Sequence, residues 1–219
     1  MPQILPIGVA VSALPLAAED RTGYQRTSFR HWNACANPTD GCNTRMEVLI
    51  AEGVEAPEVG PGCILTGGAW RSYYDGVLTN DVRTFDIDHL VPRAEAWDSG
   101  ASAWTAARRE AYANDLDQEA SLVAVSARSN RSKADQDPAQ WVPPSAEALC
   151  RYGSEWTATK MRWVDEAPAP GHRRWLWRHP RGVHPGTVEP GQGSPRPSRP
   201  YDARGGRPGW HAKGSSAEW

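Results

Sequence analysis

Hydrophobic and polar positions in the middle of the chain predict two short strands followed by a helix. Gly67 to Asp88 is rich in strand-forming residues, and its last part, Arg83 to His89, is predicted as the first strand. Leu122 to Val125 is a continuous apolar run, typical of a buried second strand. Ser126 to Ala134 is predicted as the helix that follows. These three elements form the centre of the predicted domain.

Further elements surround this centre. Ala69 to Tyr74 and Val77 to Thr79, separated by an Asp-Gly pair, predict a β-hairpin. Apolar residues near helical spacing predict four more helices, at Asn43 to Glu52 with Thr44 as N-cap, Arg93 to Trp97, Ser102 to Leu116 with Ser102 as cap, and Ser145 to Trp163. Trp97 and Trp104 are interpreted as core residues and not as platforms for stacked bases.

The two ends of the chain differ from the body in composition. Residues 1–20 form an apolar segment that is too short and too often interrupted by proline to span a membrane. Residues 166–219 contain 9 Pro, 9 Gly and 4 Trp and almost no aliphatic residues. Such a segment buries too little apolar surface to offset its ordering entropy. We therefore predict one domain at 21–164 and a disordered tail at 165–219.

Charge is distributed unevenly along the chain. Residues 1–165 hold 15 Lys and Arg against 22 Asp and Glu, a net of −7, whereas residues 166–219 have a net of +5. An acidic body does not attract a polyanion by itself. Metal ions and a local basic patch would have to supply that attraction.

The four cysteines are Cys35, Cys42, Cys63 and Cys150. None forms a Cys-x-x-Cys pair, which disfavours a zinc ribbon. Their even number favours disulfides in an oxidising compartment, with a connectivity that the sequence leaves open.

The run Asp86-Ile87-Asp88-His89-Leu90-Val91-Pro92 carries most of the candidate chemistry. Asp88 offers a hard oxygen ligand to a divalent cation, and His89 is the default general base near neutral pH. Adjacent strand residues point to opposite faces, so both reach one site only if the strand ends or bends before Pro92. For an isolated Asp-His pair, a surface turn would be the preferred interpretation.

Several motifs in the same order raise the catalytic interpretation above the surface turn. They are Cys42-Asn43-Thr44-Arg45, Tyr73-Tyr74-Asp75-Gly76, the Asp86–Pro92 run, Ala96 to Trp104, Asn130-Arg131-Ser132-Lys133 and Asp137 to Trp141. Together they resemble HNH nucleases with a ββα-metal (His-Me finger) core, and more closely the C-terminal domain of GmrSD-type restriction nucleases, which recurs in small secreted actinobacterial proteins. The resemblance covers roughly residues 21–163. It implies an α+β fold in which helices and a β-hairpin flank the ββα-metal core.

The resemblance also implies roles for individual residues. His89 matches the general base, and Asp88 and Asn130 match ligands of one divalent ion, Mg²⁺ or Mn²⁺. Arg45, Arg131 and Lys133 would contact substrate phosphates. Asp86 would hydrogen-bond to a metal ligand without binding the metal itself. The position that holds an orienting asparagine in many HNH proteins falls near Ser121, so a backbone carbonyl could serve instead. Cys42 and Cys63 would form a disulfide. Cys150 would pair with a cysteine near the C-terminus that this sequence does not have, and Cys35 is an extra cysteine, so a Cys35–Cys150 pair is one possibility that the sequence leaves open.

Three functions follow as hypotheses. The first is a metal-dependent endonuclease that hydrolyses phosphodiester bonds of DNA, or of RNA. The second is an impaired HNH-fold module that binds nucleic acid or a protein partner. The third is a zinc hydrolase, and this hypothesis is weak because the domain offers only His31 and His89 as histidine ligands.

The chain is expected outside the cell, with its signal peptide missing or incomplete. The tail is either the product of a shifted reading frame or a basic arm.

Overall fold

The computed structural model of this chain describes residues 5–15, 18–34 and 40–163, and the backbone of residues 187–188. The α-helices in these ranges are α1 (Ile7–Ala13), α2 (Thr44–Glu52), α3 (Arg93–Asp98), α4 (Ala106–Ala113), α5 (Ala127–Lys133) and α6 (Leu149–Trp163). The strands are β1 (Leu5–Pro6), β2 (Gly53–Glu55), β3 (Glu58–Val59), β4 (Leu65–Thr66), β5 (Ala69–Arg71), β6 (Leu78–Thr79), β7 (Phe85–His89), β8 (Leu122–Ser126) and β9 (Thr187–Val188). The mixed α+β composition agrees with the prediction.

Strands β7 and β8 form an antiparallel pair at the centre of the domain. Their register places Phe85 opposite Ser126 and His89 opposite Leu122. Helix α5 begins directly after β8, where the Ser126 side chain accepts a hydrogen bond from the backbone N–H of Ser129. The predicted order of strand, strand and helix is therefore present, and the helix starts one residue later than expected because Ser126 is its N-cap.

Strand β8 is buried on both faces, which explains its unbroken apolar sequence. Leu122 and Ala124 pack on one side with residues of α2, β5 and β7. Val123 and Val125 pack on the other side with Tyr152 and residues around it. Each fully buried aliphatic side chain contributes about 1.5–3 kcal/mol through removal from water. The two cores meet at this strand and fix the position of β7 beside it.

The predicted β-hairpin is present, but its turn is wider than an Asp-Gly pair. Trp70 lies opposite Thr79 and Arg71 opposite Leu78. The backbone N–H of Tyr73 leaves the hairpin and donates to the carbonyl of Ala124 on β8. This departure brings the residues that follow Tyr73 to the central pair of strands.

Two predicted helix caps are wrong, one by one residue and the other by three. The cap of α2 is Asn43, whose side chain accepts from the Met46 N–H, and not Thr44. Helix α4 starts at Ala106, because the Thr105 side chain caps it by accepting from the Arg108 N–H. Ser102 lies in a short 3₁₀ turn before it. Several polar residues near each start can cap, and the backbone path decides between them.

The remaining segments pack around the centre. Ile7 and Ala10 of α1 contact Ala158 and Met161 of α6, so the N-terminal segment packs on the domain instead of standing apart from it. Trp97 and Trp104 pack in a cluster with Phe29 and Tyr112, as predicted for core residues.

No helix in the described ranges is long and apolar enough to cross a membrane. The tail predicted at 165–219 lies outside the described residues, apart from the short strand β9, which pairs with β1.

Candidate active site

The alternation of strand β7 divides its polar residues between two directions. Asp86 and Asp88 face helix α5, whose Asn130 and Lys133 contact them. His89, the last residue of the strand, faces away from α5. Asp88 and His89 therefore point to opposite sides of β7, as adjacent strand residues do, and the strand ends at His89.

Asp88 is held by two partners on one of its oxygens. Its Oδ2 accepts from the Tyr74 hydroxyl at 2.7 Å and from Lys133 Nζ at 2.5 Å. Its Oδ1 accepts no hydrogen bond within the described part of the chain, and 12% of the side chain remains exposed. Asp88 thus has one anchored oxygen and one that is available to a ligand.

Asn130 is oriented in a similar way. Its Nδ2 donates to Asp86 Oδ2 at 3.0 Å, which fixes the plane of the amide. In the described residues no donor contacts its Oδ1, which is the atom that a hard cation would use. Asp86 therefore hydrogen-bonds to Asn130, the residue that the sequence analysis predicts as a metal ligand.

The His89 imidazole is buried and neutral. Its Nε2 lies 3.0 Å from the carbonyl oxygen of Ala113 at the end of α4. A carbonyl can only accept, so Nε2 carries the proton and Nδ1 carries the lone pair. Burial, and then the charge of nearby Arg93, hold the pKa of His89 well below its usual value.

The group that orients His89 is thus a backbone carbonyl and not a side chain at position 121. Ser121 is buried and donates its hydroxyl to Asp115 at 2.8 Å. Its own carbonyl accepts from the Leu90 N–H, one residue after the histidine. Ser121 supports the backbone beside the site but does not contact the imidazole.

The three predicted phosphate contacts lie in different environments. Arg131 is exposed on α5. Arg45 is half-buried and donates to the backbone carbonyl of Phe85 at 3.1 Å. Lys133 is fully buried, so its expected place beside a substrate phosphate is wrong. The side chain of Lys133 turns inward because Asp88 and the His89 carbonyl, at 3.0 Å, both accept from its ammonium.

Three residues that the sequence analysis did not assign to the site surround His89. Trp32 lies 5.9 Å from the His89 ring between centroids, and His31 lies 6.5 Å away. Arg93, the first residue of α3, donates from Nη1 to His31 Nδ1 at 2.7 Å. The only sequence signal for Arg93 was its place directly after Pro92. His31 and Trp32 gave none, because 57 or more residues separate them from His89.

The Tyr-Tyr-Asp-Gly motif supports the site from the side of β8. Tyr74 is fully buried and donates to Asp88. Asp75 Oδ2 accepts from the hydroxyls of Ser126 and Ser129, both at 2.6 Å. The motif therefore ties the metal-ligand candidate and the start of α5 to one backbone segment.

The donor set around β7 fits a hard divalent cation. Asp88 and Asn130 each offer one oxygen, which suits Mg²⁺ or Mn²⁺ because these ions keep several waters. A second cluster, Asp40, Cys42 and Glu47, has ligand atoms within 4.8 Å of one another. Its cysteine is bonded to Cys63, so no thiolate is available there.

The disulfide between Cys42 and Cys63 is present, as the resemblance implied. Cys150 is an exposed free thiol. Cys35, the suggested partner of Cys150, lies outside the described residues. The bridge joins the residue two positions before α2 to the segment that leads into the hairpin.

A cleft of about 490 Å³ lies between α4 and the end of α6. Its lining includes Glu110, Asp115, Asp117 and Arg162, but none of the residues that contact Asp88 or His89 through their side chains. Three carboxylates against one guanidinium make this cleft unsuited to a polyanion. The candidate active site is therefore the region around the end of β7.

Comparisons with known proteins bear on the same segment of the chain. The sequence profile of the GmrSD restriction endonucleases, C-terminal domain, matches residues 62–167. An uncharacterized secreted protein of Arthroderma benhamiae is 40% identical over 138 residues, which cover 63% of this chain and 65% of that protein. The chain thus spans just under two thirds of the length of that relative. No solved structure matches the chain.

The matched segment contains β7, β8 and α5, and with them Asp88, His89 and Asn130. The resemblance found from the motifs is therefore confirmed for this part of the chain. Residues 62–167 match the family of GmrSD restriction endonuclease C-terminal domains.

Proposed function

We propose that the protein is a secreted, metal-dependent HNH endonuclease that hydrolyses phosphodiester bonds of DNA. The observation that carries this proposal is the hydrogen bond from His89 Nε2 to the Ala113 carbonyl. It fixes the neutral tautomer with the lone pair on Nδ1, as a general base requires. The family match adds that related domains are named as restriction endonucleases.

In this proposal His89 removes a proton from the attacking water. Nδ1 accepts the proton while the water oxygen bonds to phosphorus and the bond to the leaving oxygen breaks. The Ala113 carbonyl holds the ring in place through the other nitrogen and stabilises the imidazolium that forms. Trp32 and Tyr112 pack against the ring and limit its rotation.

Asp88 and Asn130 would hold one Mg²⁺ or Mn²⁺ through the oxygens that make no other contact in the described residues. The bound ion would supply positive charge to the phosphate and to the leaving oxygen. Tyr74 donates a hydrogen bond to Asp88, and Asp86 accepts one from Asn130, so each proposed ligand is held in one orientation. In this proposal each of the three motif residues has a role, His89 as the base and Asp88 and Asn130 as metal ligands.

A binding module without catalysis is the second candidate, and one observation favours it. The Lys133 ammonium contacts the Asp88 carboxylate at 2.5 Å and partly neutralises it. A cation in this place competes with a metal ion for the same charge. In that case the domain would bind nucleic acid or a protein partner without cleaving a bond.

The geometry does not support the zinc hydrolase. The proton-bearing Nε2 of His89 is directed at the Ala113 carbonyl, and Nδ1 of His31 accepts from Arg93. Two histidines in these arrangements do not present a shared site of the type that catalytic zinc requires.

The proposed location outside the cell rests on the name of the relative and on the disulfide.

The proposal is tested by plasmid cleavage with Mg²⁺, with Mn²⁺ and with EDTA, for the wild type and for His89→Ala. We expect metal-dependent cleavage that falls by a factor of roughly 10²–10⁴ in the variant, because general-base catalysis has that magnitude. The matched control is His211→Ala, which removes a histidine from the tail and should leave cleavage unchanged. Absence of cleavage with every metal by the folded wild type would support the binding module instead.

A further inference from the structure

Arg93 carries a positive charge that forms no ion pair with a carboxylate of the described residues. Its side chain is almost fully buried, with 6% of the residue exposed. Among the described residues no acidic group lies within ion-pair distance of its guanidinium. The buried ammonium of Lys133 differs in this respect, because Asp88 lies 2.5 Å from it.

The hydrogen-bond partner of Arg93 does not neutralise it either. His31 Nδ1 lies 2.7 Å from Arg93 Nη1 and 3.0 Å from the Phe29 carbonyl oxygen, and only one of these contacts can be a hydrogen bond. A guanidinium can only donate, so the shorter contact requires that Nδ1 accepts and that the imidazole is neutral. Burial lowers the pKa of His31 and outweighs the contact with the Phe29 carbonyl, which raises it. The charge of Arg93 lowers this pKa further. The pair therefore retains a full positive charge, with four of the five donors of Arg93 making no hydrogen bond in the described residues.

This charge lies beside the proposed general base. The His31 and His89 rings are 6.5 Å apart between centroids, and Arg93 is the guanidinium that most strongly lowers the pKa of His89. Burial and then the charge of exposed Arg26 lower the pKa of Arg93, whereas the charge of Asp88 raises it. A buried, uncompensated cation is costly, and its position next to reacting groups indicates an anion that binds there.

We propose that Arg93 binds the phosphate group undergoing attack, with His31 holding the guanidinium in position. The planar fork of arginine matches two phosphate oxygens, and the buried setting strengthens such a contact. The donors are in place before the substrate arrives, so they stabilise charge in the transition state without reorganisation. This inference rests on the proposed nuclease function and adds a catalytic residue to it.

The local backbone supports a fixed arrangement around Arg93. Trp32, next to His31, has a positive φ of 62°, which is uncommon for a residue with a side chain. The strained position directs the indole against His89 while His31 faces Arg93. Strain of this kind is retained where the surroundings hold a residue in one arrangement.

Arg93→Met and Arg93→Lys test the inference, with Arg151→Met as the matched control. Arg151 is an arginine whose charge is paired with Glu155 at 2.9 Å. We expect Arg93→Met to lower kcat/KM for cleavage of a short duplex by at least roughly 100-fold, the usual effect of removing one such donor. Arg93→Lys should recover part of the loss, and the control should cleave like the wild type.

Thermal unfolding separates this role from a structural one. Methionine fills a similar volume without a charge, so the midpoint of Arg93→Met should equal or exceed that of the wild type. A large fall in the midpoint that accounts for the lost activity would overturn the inference. Cleavage by folded Arg93→Met at the wild-type rate would do the same.

Binding of a fluorescent 12-base-pair duplex in EDTA keeps the inference testable if no cleavage is seen. Removing one phosphate contact reduces the slope of log affinity against log salt by about 0.9. That change in Arg93→Met, without one in Arg151→Met, would support the anion contact even if the nuclease proposal failed. An unchanged slope in Arg93→Met would overturn the inference whether or not the wild type cleaves DNA.

Discussion

At the scale of single residues, burial determines the protonation state of His89. The ring lies among Tyr112, Trp32 and His31, and no carboxylate in the described residues hydrogen-bonds to it. An imidazole in such a place disfavours its charged form. The histidine is therefore ready to accept a proton at pH values where an exposed histidine would already be protonated.

The first prediction concerns the pH dependence of cleavage. The folded-state pKa of His89 is depressed by burial and by Arg93, so the neutral base persists as pH falls below 6.5. We expect kcat/KM at saturating Mn²⁺ to stay constant from pH 8 to below pH 6 and to decline only under more acidic conditions. An acid limb centred at pH 6.5 or higher would contradict this prediction.

The same shift affects stability, and its sign can be stated. Below pH 6.5 the unfolded chain protonates His89 while the folded chain does not, so the unfolded state binds more protons. His89 therefore lowers the free energy of unfolding as pH falls through this range. The His89→Ala variant should lose less stability between pH 7 and pH 5 than the wild type does.

A second residue-scale prediction concerns the ion pair of Lys133 and Asp88. Lys133→Met leaves the Asp88 carboxylate buried with only Tyr74 as partner, so the free energy of unfolding in EDTA should fall by about 3–5 kcal/mol. If Asp88 binds metal, Mn²⁺ supplies the missing charge and restores more stability to the variant than to the wild type. Urea denaturation with Mn²⁺ and with EDTA measures both effects.

The control for this experiment is Arg131→Met, which removes an exposed charge from the same helix. Its stability should change little and should respond to Mn²⁺ as the wild type does. Equal stabilisation of all three proteins by Mn²⁺ would mean that the ion does not bind at Asp88.

At the scale of elements, β7 and α5 position the site together. The strand presents residues 86 and 88 on one face, and the helix presents residues 130 and 133 toward them. Helix α4 reaches His89 from the opposite side through its terminal carbonyl. Relative displacement of any of these three elements would change the distance between the proposed base and the proposed metal ligands.

The disulfide between Cys42 and Cys63 links two other segments of the domain. It joins the start of α2 to the segment before the hairpin across a sequence separation of 21. Cys42→Ser with Cys63→Ser should lower the free energy of unfolding by about 3 kcal/mol, because a loop of this length regains its entropy in the unfolded chain. Denaturation with and without a reducing agent provides the measurement.

Cys150→Ser is the matched control, since Cys150 is exposed and free. This variant should unfold like the wild type in oxidising conditions. A comparable loss in the control and in the double variant would indicate that the bridge does not stabilise the fold.

At the scale of the whole molecule, the acidic body makes local charge important. Residues 1–165 have a net charge of −7, so the polyanionic substrate of the proposed function would be repelled at long range. Arg93 and a bound metal ion would provide attraction where the phosphate reacts. Burial of these charges keeps them effective at salt concentrations that screen exposed lysines and arginines.

The sequence by itself determined the order of the main elements and the identity of the motif. Apolar runs and caps are properties of neighbouring residues, so β7, β8, α5 and α6 were found to within a few residues. The residue types of Asp88, His89 and Asn130 indicated the chemistry because few side chains bind hard cations or titrate near neutral pH.

Only the tertiary structure decided which groups surround that motif. Ala113 lies 24 residues from His89, Lys133 lies 45 residues from Asp88, and His31 lies 62 residues from Arg93. No local pattern encodes such contacts, since they arise when separate elements pack. Lys133 therefore looked like a surface cation in the sequence and is buried in the fold. Arg93 looked like an ordinary helix residue and lies beside the proposed base, without an ion-pair partner among the described residues.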